Sequence, residues 1–277
     1  VYQFTDFKIR KETTVKHIFL STLMAFCGIL FATDSTFAGN NVAVELSEEG
    51  VLTIVGEQLL QGQPLSHPSV FVTVENGWVT VEGAFDATLN EQDADLPFSE
   101  SEVTAISASD LSTFRLEIFE HLCADVSVDA QRIFMTAPFF ENDLSNAGVI
   151  GNTRINSGRA SVTIYLYGIG FVGDVDITTG LGPEIIQIGR SPIGYVAPVT
   201  IQGNLFMDTA QDTGIVEFSF ADVFGDVWCD LGQGDDSFAG YGLKVFGNAV
   251  LLGGPGSDSY FGDPIVEGAL IVFGFED

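Results

Sequence analysis

Apolar and polar residues alternate in short runs along most of the chain beyond residue 40. VAVEL and VLTIV flank Glu48-Glu49-Gly50, and VFVTV and WVTVE flank Glu75-Asn76-Gly77. A period of two sends successive side chains to opposite faces, so these runs predict strands rather than helices. Asn76-Gly77 between two such runs predicts a type I′ hairpin, whose central residues both need positive φ. Residues 86–101 (DATLNEQDADLPFSES) are acidic, lack apolar periodicity and predict a loop.

Further along, the alternation is punctuated at nearly fixed intervals. Gly151-Asn152, Gly173-Asp174, Gly203-Asn204, Gly225-Asp226 and Gly247-Asn248 are separated by 22, 30, 22 and 22 residues. After each comes a short strand (VDI, LFM, VWC, AVL), a glycine-rich or polar turn, a second strand (IIQI, IVEF), and a third that closes on the next glycine. A single unit of this kind cannot bury its own apolar face, whereas stacked units bury it against each other and pair their backbones. The fold expected is therefore all-β: a right-handed parallel β-helix or solenoid of about seven ~22-residue coils. Residues 102–277 form the coils, and residues 39–101 form an N-terminal β-hairpin segment and acidic loop. Extra residues in the longer coils predict surface bulges around Phe139–Asn146 and Gly189–Ala197. Glycine at the corners supplies φ values that other residues resist, and Asp or Asn beside it is expected to satisfy local backbone donors or to adopt αL.

Composition narrows the surroundings. The chain has 277 residues, with 38 acids against 10 bases and a formal net charge of -28. Phosphates require clustered Lys and Arg, so nucleic acid is excluded as a partner, and anionic membrane surfaces are disfavoured. Residues 16–38 (KHIFLSTLMAFCGILFATDSTFA) show a basic start, an apolar run from Ile18 to Ala32 and a small-residue site at Thr36-Phe37-Ala38. These are the parts of a secretory signal peptide, and the apolar run falls short of the ~20 residues that span a bilayer. Residues 1–38 are thus expected to be upstream sequence plus an export signal. The mature chain is expected to begin near Gly39, with no integral membrane span after cleavage. Cys123 and Cys229 fall in apolar stretches of coils too far apart to pair and are expected to be buried thiols.

Candidate chemistry is sparse. His67 sits before Pro68 in a loop and His121 in the apolar FEHLC run, both read as structural positions, and no HxH, HExxH or CxxC spacing occurs. Asp235-Asp236 has the form of a paired carboxylate for glycosidic chemistry, with no further catalytic group to support it. Arg132, Arg154, Arg159 and Arg190 read as surface ion pairs, and Trp78, Trp228, Tyr241 and Tyr260 as candidate exposed rings.

One segment carries a resemblance. Gly253-Gly254-Pro255-Gly256-Ser257-Asp258-Ser259-Tyr260-Phe261 is similar to the calcium-binding nonapeptide of hemolysin-type (RTX-like) repeat proteins, G-G-x-G-x-D-x-apolar-x. Leu231 to Phe238 (LGQGDDSF) fits the pattern except for Leu in first place, and Gly180-Leu181-Gly182-Pro183-Glu184 is a decayed third copy. The resemblance implies that Asp236 and Asp258 supply carboxylate ligands to calcium, with glycine-turn carbonyls completing an oxygen shell. The copies stand 22 residues apart, a departure from the tandem nonapeptides of that family. More broadly, Gly50 to Gly56 (GVLTIVG), Phe98, Val103, Ile106, Gly225-Asp226 and Gly232 to Asp236 resemble large acidic exported bacterial repeat proteins. That resemblance implies a cell-surface or extracellular structural or adhesion-type protein. The alternative is a β-helix protein that binds or degrades polysaccharide. An extracellular polysaccharide or a surface protein is the expected partner, and no catalytic residue is assigned.

Overall fold

The computed structural model describes residues 41–56, 68–84, 87–90, 95–119, 121–137, 148–157 and 161–276. The export-signal reading, His67, Arg159 and the bulge expected at Phe139–Asn146 lie outside the described residues. Among those described, the regular structure is strand except for one 3-10 turn, Glu100–Glu102, with corners and loops between the strands. The strands stack as a parallel β-solenoid with three faces.

The first face runs from Val51–Gly56 through the starts of Ala105–Ile118 and Asp125–Thr136. It continues through Thr153–Ser157, Val175–Leu181, Leu205–Gln211, Val227–Asp230, Ala249–Leu252 and Leu270–Phe273. The second face runs from Ser69–Glu75 through the later parts of the same two long strands to Val162–Tyr167, Glu184–Ile188, Gly214–Val223, Ser237–Val245 and Ser259–Phe261. The third begins at His121–Leu122 and passes through Gly148–Val149, Gly170–Phe171 and Val199–Ile201 to Ile265–Val266. All pairings between successive coils are parallel.

The N-terminal hairpins extend this stack. Val51–Gly56 and Ser69–Glu75 pair parallel with Ala105–Ile118, while their partners Asn41–Leu46 and Trp78–Ala84 add antiparallel strands outside them. Asn76 and Gly77 have φ of 55° and 75°, the double positive expected of the turn. The segment read as a loop is partly strand: Leu96–Ser99 pairs antiparallel with Trp78–Ala84. Its Leu96 and Phe98 pack on the core, an apolar period-two pair that the surrounding acids mask in the sequence. Gly39–Asp277 is one compact unit.

Inside, equivalent positions of successive coils lie over one another. The first face contributes Ile155, Ile177, Met207, Cys229 and Leu251; the second Ile164, Ile186, Val216 and Phe238; the third Val149, Phe171, Ile201, Val223 and Val245. All are essentially excluded from water, and each contributes about 1.5–3 kcal/mol by burial. Cys229 sits in this column, and burial pushes its thiol far above the ordinary range. Cys123, expected inside, is exposed, because it follows inward-facing Leu122 on an alternating strand; both cysteines are free. At Gly189–Ala197 the expected bulge is present, closed by an antiparallel bridge between Arg190 and Val196.

The Gly-Asp/Asn corners are stacked, and their acids and amides act between coils. Asp125 Oδ1 accepts the backbone N–H of Asn152 at 2.7 Å, and Asn152 Oδ1 that of Asp174 at 3.1 Å. Asp174 accepts from Asn204 at 2.7 Å, Asn204 from Asp226 at 2.9 Å, Asp226 from Asn248 at 2.7 Å, and Asn248 from Ala269 at 3.0 Å. None of these residues is in αL, so the expected local-turn role is replaced by a ladder along the stack. The ladder alternates strictly between Asp and Asn. Carboxylates on adjacent coils would repel at one strand spacing, about 4.8 Å. An amide between them accepts the same bond without charge. Asn204 and Asn248 also donate Nδ2–H to the Asp beneath them, each at 3.1 Å. Glycine precedes every rung after Asp125, and a Cβ at Gly203 would lie 2.5 Å from the Gly173 carbonyl oxygen.

Asn204→Asp keeps the acceptor and places three carboxylates in succession. We expect a lower melting temperature in low salt, recovering partly in high salt, and no such recovery for Asn204→Ala, which loses about 1 kcal/mol through the missing acceptor. Thermal denaturation at two ionic strengths distinguishes them; equal salt dependence of the two variants would contradict the charge argument.

Candidate functional site

The position at which Gly214–Val223 and its neighbours enter the second face is apolar at Val162 and acidic at three of the four coils that follow. Val162 pairs with Glu184, Glu184 with Gly214, and the register places Asp236 beside Gly214 and Asp258 beside Asp236. Glu184, Asp236 and Asp258 all have the inward parity of Ile186, Val216 and Phe238, and each is at least 98% buried. The glycine-rich corners create the room. Gly234 and Gly256 hold φ of 153° and 159°, and a Cβ on Gly253 would lie 2.8 Å from Asp258 Oδ2. Asp212 occupies the equivalent corner one coil below Gly234 with φ of 93°, a strained value for a residue with a Cβ.

One oxygen of each carboxylate is engaged. Asp236 Oδ1 accepts the Gly214 N–H at 2.5 Å, Asp258 Oδ1 accepts the Asp236 N–H at 2.9 Å, and Glu184 Oε1 accepts from the Thr179 hydroxyl at 3.1 Å. The other oxygens, Glu184 Oε2, Asp236 Oδ2 and Asp258 Oδ2, are buried with no hydrogen-bond partner. At Glu184 and Asp236 this burial opposes ionisation. Desolvation first, then repulsion from Asp236 and Asp212, outweighs the Thr179 hydrogen bond and raises Glu184 to about 7. Desolvation, opposed by the Gly214 hydrogen bond and reinforced by Asp258, Asp235 and Asp212, raises Asp236 to about 6. No cationic side chain contributes to either shift.

The candidate ligands Asp236 and Asp258 are thus brought together on adjacent coils, with Glu184 from the decayed third copy in the same column. The signal for Glu184 was available in Gly180-Leu181-Gly182-Pro183-Glu184, whose last residue falls where the other copies carry Asp. Hard, unpartnered oxygens in a glycine-lined corner fit a calcium ion chemically. Among the described residues no three acidic, His or Cys side chains converge on one point, so backbone carbonyls, hydroxyls or water would complete any shell.

The paired-carboxylate reading of Asp235-Asp236 separates in three dimensions. Asp236 points inward, while Asp235 faces solvent and accepts the Ser257 N–H at 3.0 Å. Both lie in the corner that precedes Ser237–Val245, where the chain turns Asp235 out and brings Asp236 into the inward parity of Phe238. His121 is exposed at the start of the third face. Arg154 pairs with Asp176 at 3.5 Å and Arg190 with Glu217 at 3.1 Å, as expected of surface groups. Trp78, Trp228 and Tyr241 are exposed. Tyr260 is instead half-buried, stacked on Phe238 with ring centroids 5.8 Å apart, because its parity turns it inward. Compared with known protein families, curated proteins and solved structures, the chain matches none.

Raised native pKa values mean that the folded state binds protons more tightly than the unfolded chain between about pH 4 and 7. The contribution of Glu184 and Asp236 is therefore fully present below their unfolded values and is lost as pH rises through about 6–7. In chelator, the melting temperature should fall over this range, and the fall should flatten in the Glu184→Gln/Asp236→Asn double variant. An unaltered slope in that variant would assign the pH dependence elsewhere. Asp212→Gly, which relieves the positive φ, should raise stability by about 0.5–1 kcal/mol in denaturant unfolding.

Proposed function

We propose that this chain is an exported structural or adhesion-type repeat protein that displays an acidic, rigid β-rod at the cell surface or outside the cell, with calcium bound at its glycine-rich turns. The observation that carries the reading is the ladder from Asp125 to Asn248, in which every coil repeats the same corner bond and the interior serves coil-to-coil stacking. A solenoid built this way transmits its register over many coils, as a spacer or display scaffold requires. The excess of 38 acids over 10 bases favours cations and cationic partners. For calcium, the support is the buried, unpartnered Oδ2 of Asp236 and Asp258.

A second reading, binding of an extracellular polysaccharide, is favoured by one feature. Phe206 and Trp228 are paired neighbours on the first face, both exposed, with Asp208 and Asp230 paired two residues along. Flat rings one coil apart beside carboxylates suit sugar faces and hydroxyls. The catalytic version of this reading lacks support, since Asp235 and Asp236 face opposite ways.

Impermeant surface labelling of intact host cells tests the location: labelling of this chain supports it, and protection until lysis opposes it. For calcium, wild type should melt several degrees higher in millimolar CaCl2 than in chelator, and Asp258→Asn should reduce the gain. For polysaccharide, Trp228→Ala should abolish retention on immobilised glycans if that face is used. Equal retention of the variant removes the face from consideration.

A further inference from the structure

Gly214 interrupts the buried acid column between Glu184 and Asp236, and the space its missing side chain leaves is lined by oxygen. The position a Cβ would take on Gly214 lies 3.2 Å from Asp236 Oδ1, 3.6 Å from Glu184 Oε2 and 3.6 Å from Thr209 Oγ1. These atoms come from three successive coils. Glu184 Oε2 is the unpartnered oxygen of a side chain 99% buried, and Thr179 fixes that carboxylate by donating to its other oxygen. Thr209 spends its proton on the Leu231 carbonyl at 2.8 Å, so lone pairs face its remaining surroundings. Asp236 brings a second unpartnered oxygen, Oδ2.

We propose that this cradle above Gly214 is a second cation site, for a hard divalent ion of the calcium class, held by Glu184, Asp236 and Thr209. Two carboxylates neutralise the ion's charge, and three fixed oxygens of irregular geometry suit calcium better than magnesium, which demands a near-ideal octahedron. An open pocket of about 570 Å³ lies beside the same corner, and its lining includes Gly182, Gln211, Asp212, Gly234 and Asp235. Asp212 is close enough to raise both Glu184 and Asp236 electrostatically. The site shares Asp236 with the turn site proposed above, but Thr209 and Gly214 belong to no nonapeptide-like segment.

The test uses Gly214→Ala. Gly214 does not have positive φ, and its added methyl would occupy the cradle at ordinary or slightly tight contact, so the variant should fold. Melting and isothermal titration with CaCl2, MgCl2 and NaCl at matched ionic strength are compared for wild type, Gly214→Ala, Glu184→Gln and Asp258→Asn. Wild type should gain more from calcium than from magnesium, with sodium inert. Gly214→Ala should melt near wild type in chelator and lose one calcium equivalent. Glu184→Gln should bind that equivalent at least about tenfold more weakly, since affinity follows ligand charge. Asp258→Asn should retain it. Full calcium binding by Gly214→Ala overturns the site. If Asp258→Asn alone loses calcium, the turn site stands and this one falls. If wild type shows no calcium response, both fall.

Discussion

Everything in this molecule rests on the parallel pairing of each coil with the next. A coil of 22 residues forms no sheet by itself; its backbone donors and acceptors point along the stack and are satisfied only by neighbours. That constraint fixes the register, and the register sets what else can repeat. Residues at equivalent positions lie over one another at strand spacing, so any chemistry placed in one coil meets its own copy in the next. Aliphatic side chains tolerate this and form the interior columns. Charges do not, which is why the corner ladder alternates Asp with Asn, so that each acceptor is kept while no two ladder carboxylates face each other.

The acid column departs from that logic. Glu184, Asp236 and Asp258 stand in positions that an apolar residue fills at Val162, and each retains an unpartnered buried oxygen. Like charges stacked inside a solenoid without a cationic side chain oppose folding unless they take protons or a cation. Gly214 relieves the column once by leaving a coil without an acid, and in doing so opens the space between Glu184 and Asp236. Stability and ligand chemistry therefore meet at one corner. The same groups that weaken the apo fold at neutral pH are the ones a hard cation would satisfy.

Much of the fold was legible in particular residues. Asn76-Gly77 between alternating runs specified its hairpin, and the Gly-Asp/Asn step specified the coil length. The acidic stretch before Glu100 hid a strand, because Leu96 and Phe98 give too short a period to register among so many polar neighbours. Candidate site residues were legible as positions in a turn pattern, Asp236 and Asp258 most clearly. Their inward direction was not, because the corner preceding them resets the alternation, and a glycine-rich turn has no fixed alternation from which parity could be counted. Tyr260, two residues past Asp258, turns inward with it, whereas Cys123 faces outward by simple alternation from Leu122.

The sequence by itself determined that this chain is a stack of β-coils with glycine corners, since a repeating period of 22 with period-two strands has few physical solutions. It determined a strongly acidic surface, since the charge is a matter of counting. Only the tertiary structure decided what the repeated acids do. Whether an Asp caps the coil above it, faces solvent or enters the core depends on its phase relative to the corner and on which residue lies above and below it. Those neighbours are 22 to 30 residues away in the chain and one strand spacing away in the fold. Adjacent Asp235 and Asp236 illustrate the outcome: one residue of phase sends the first to solvent and the second into the interior.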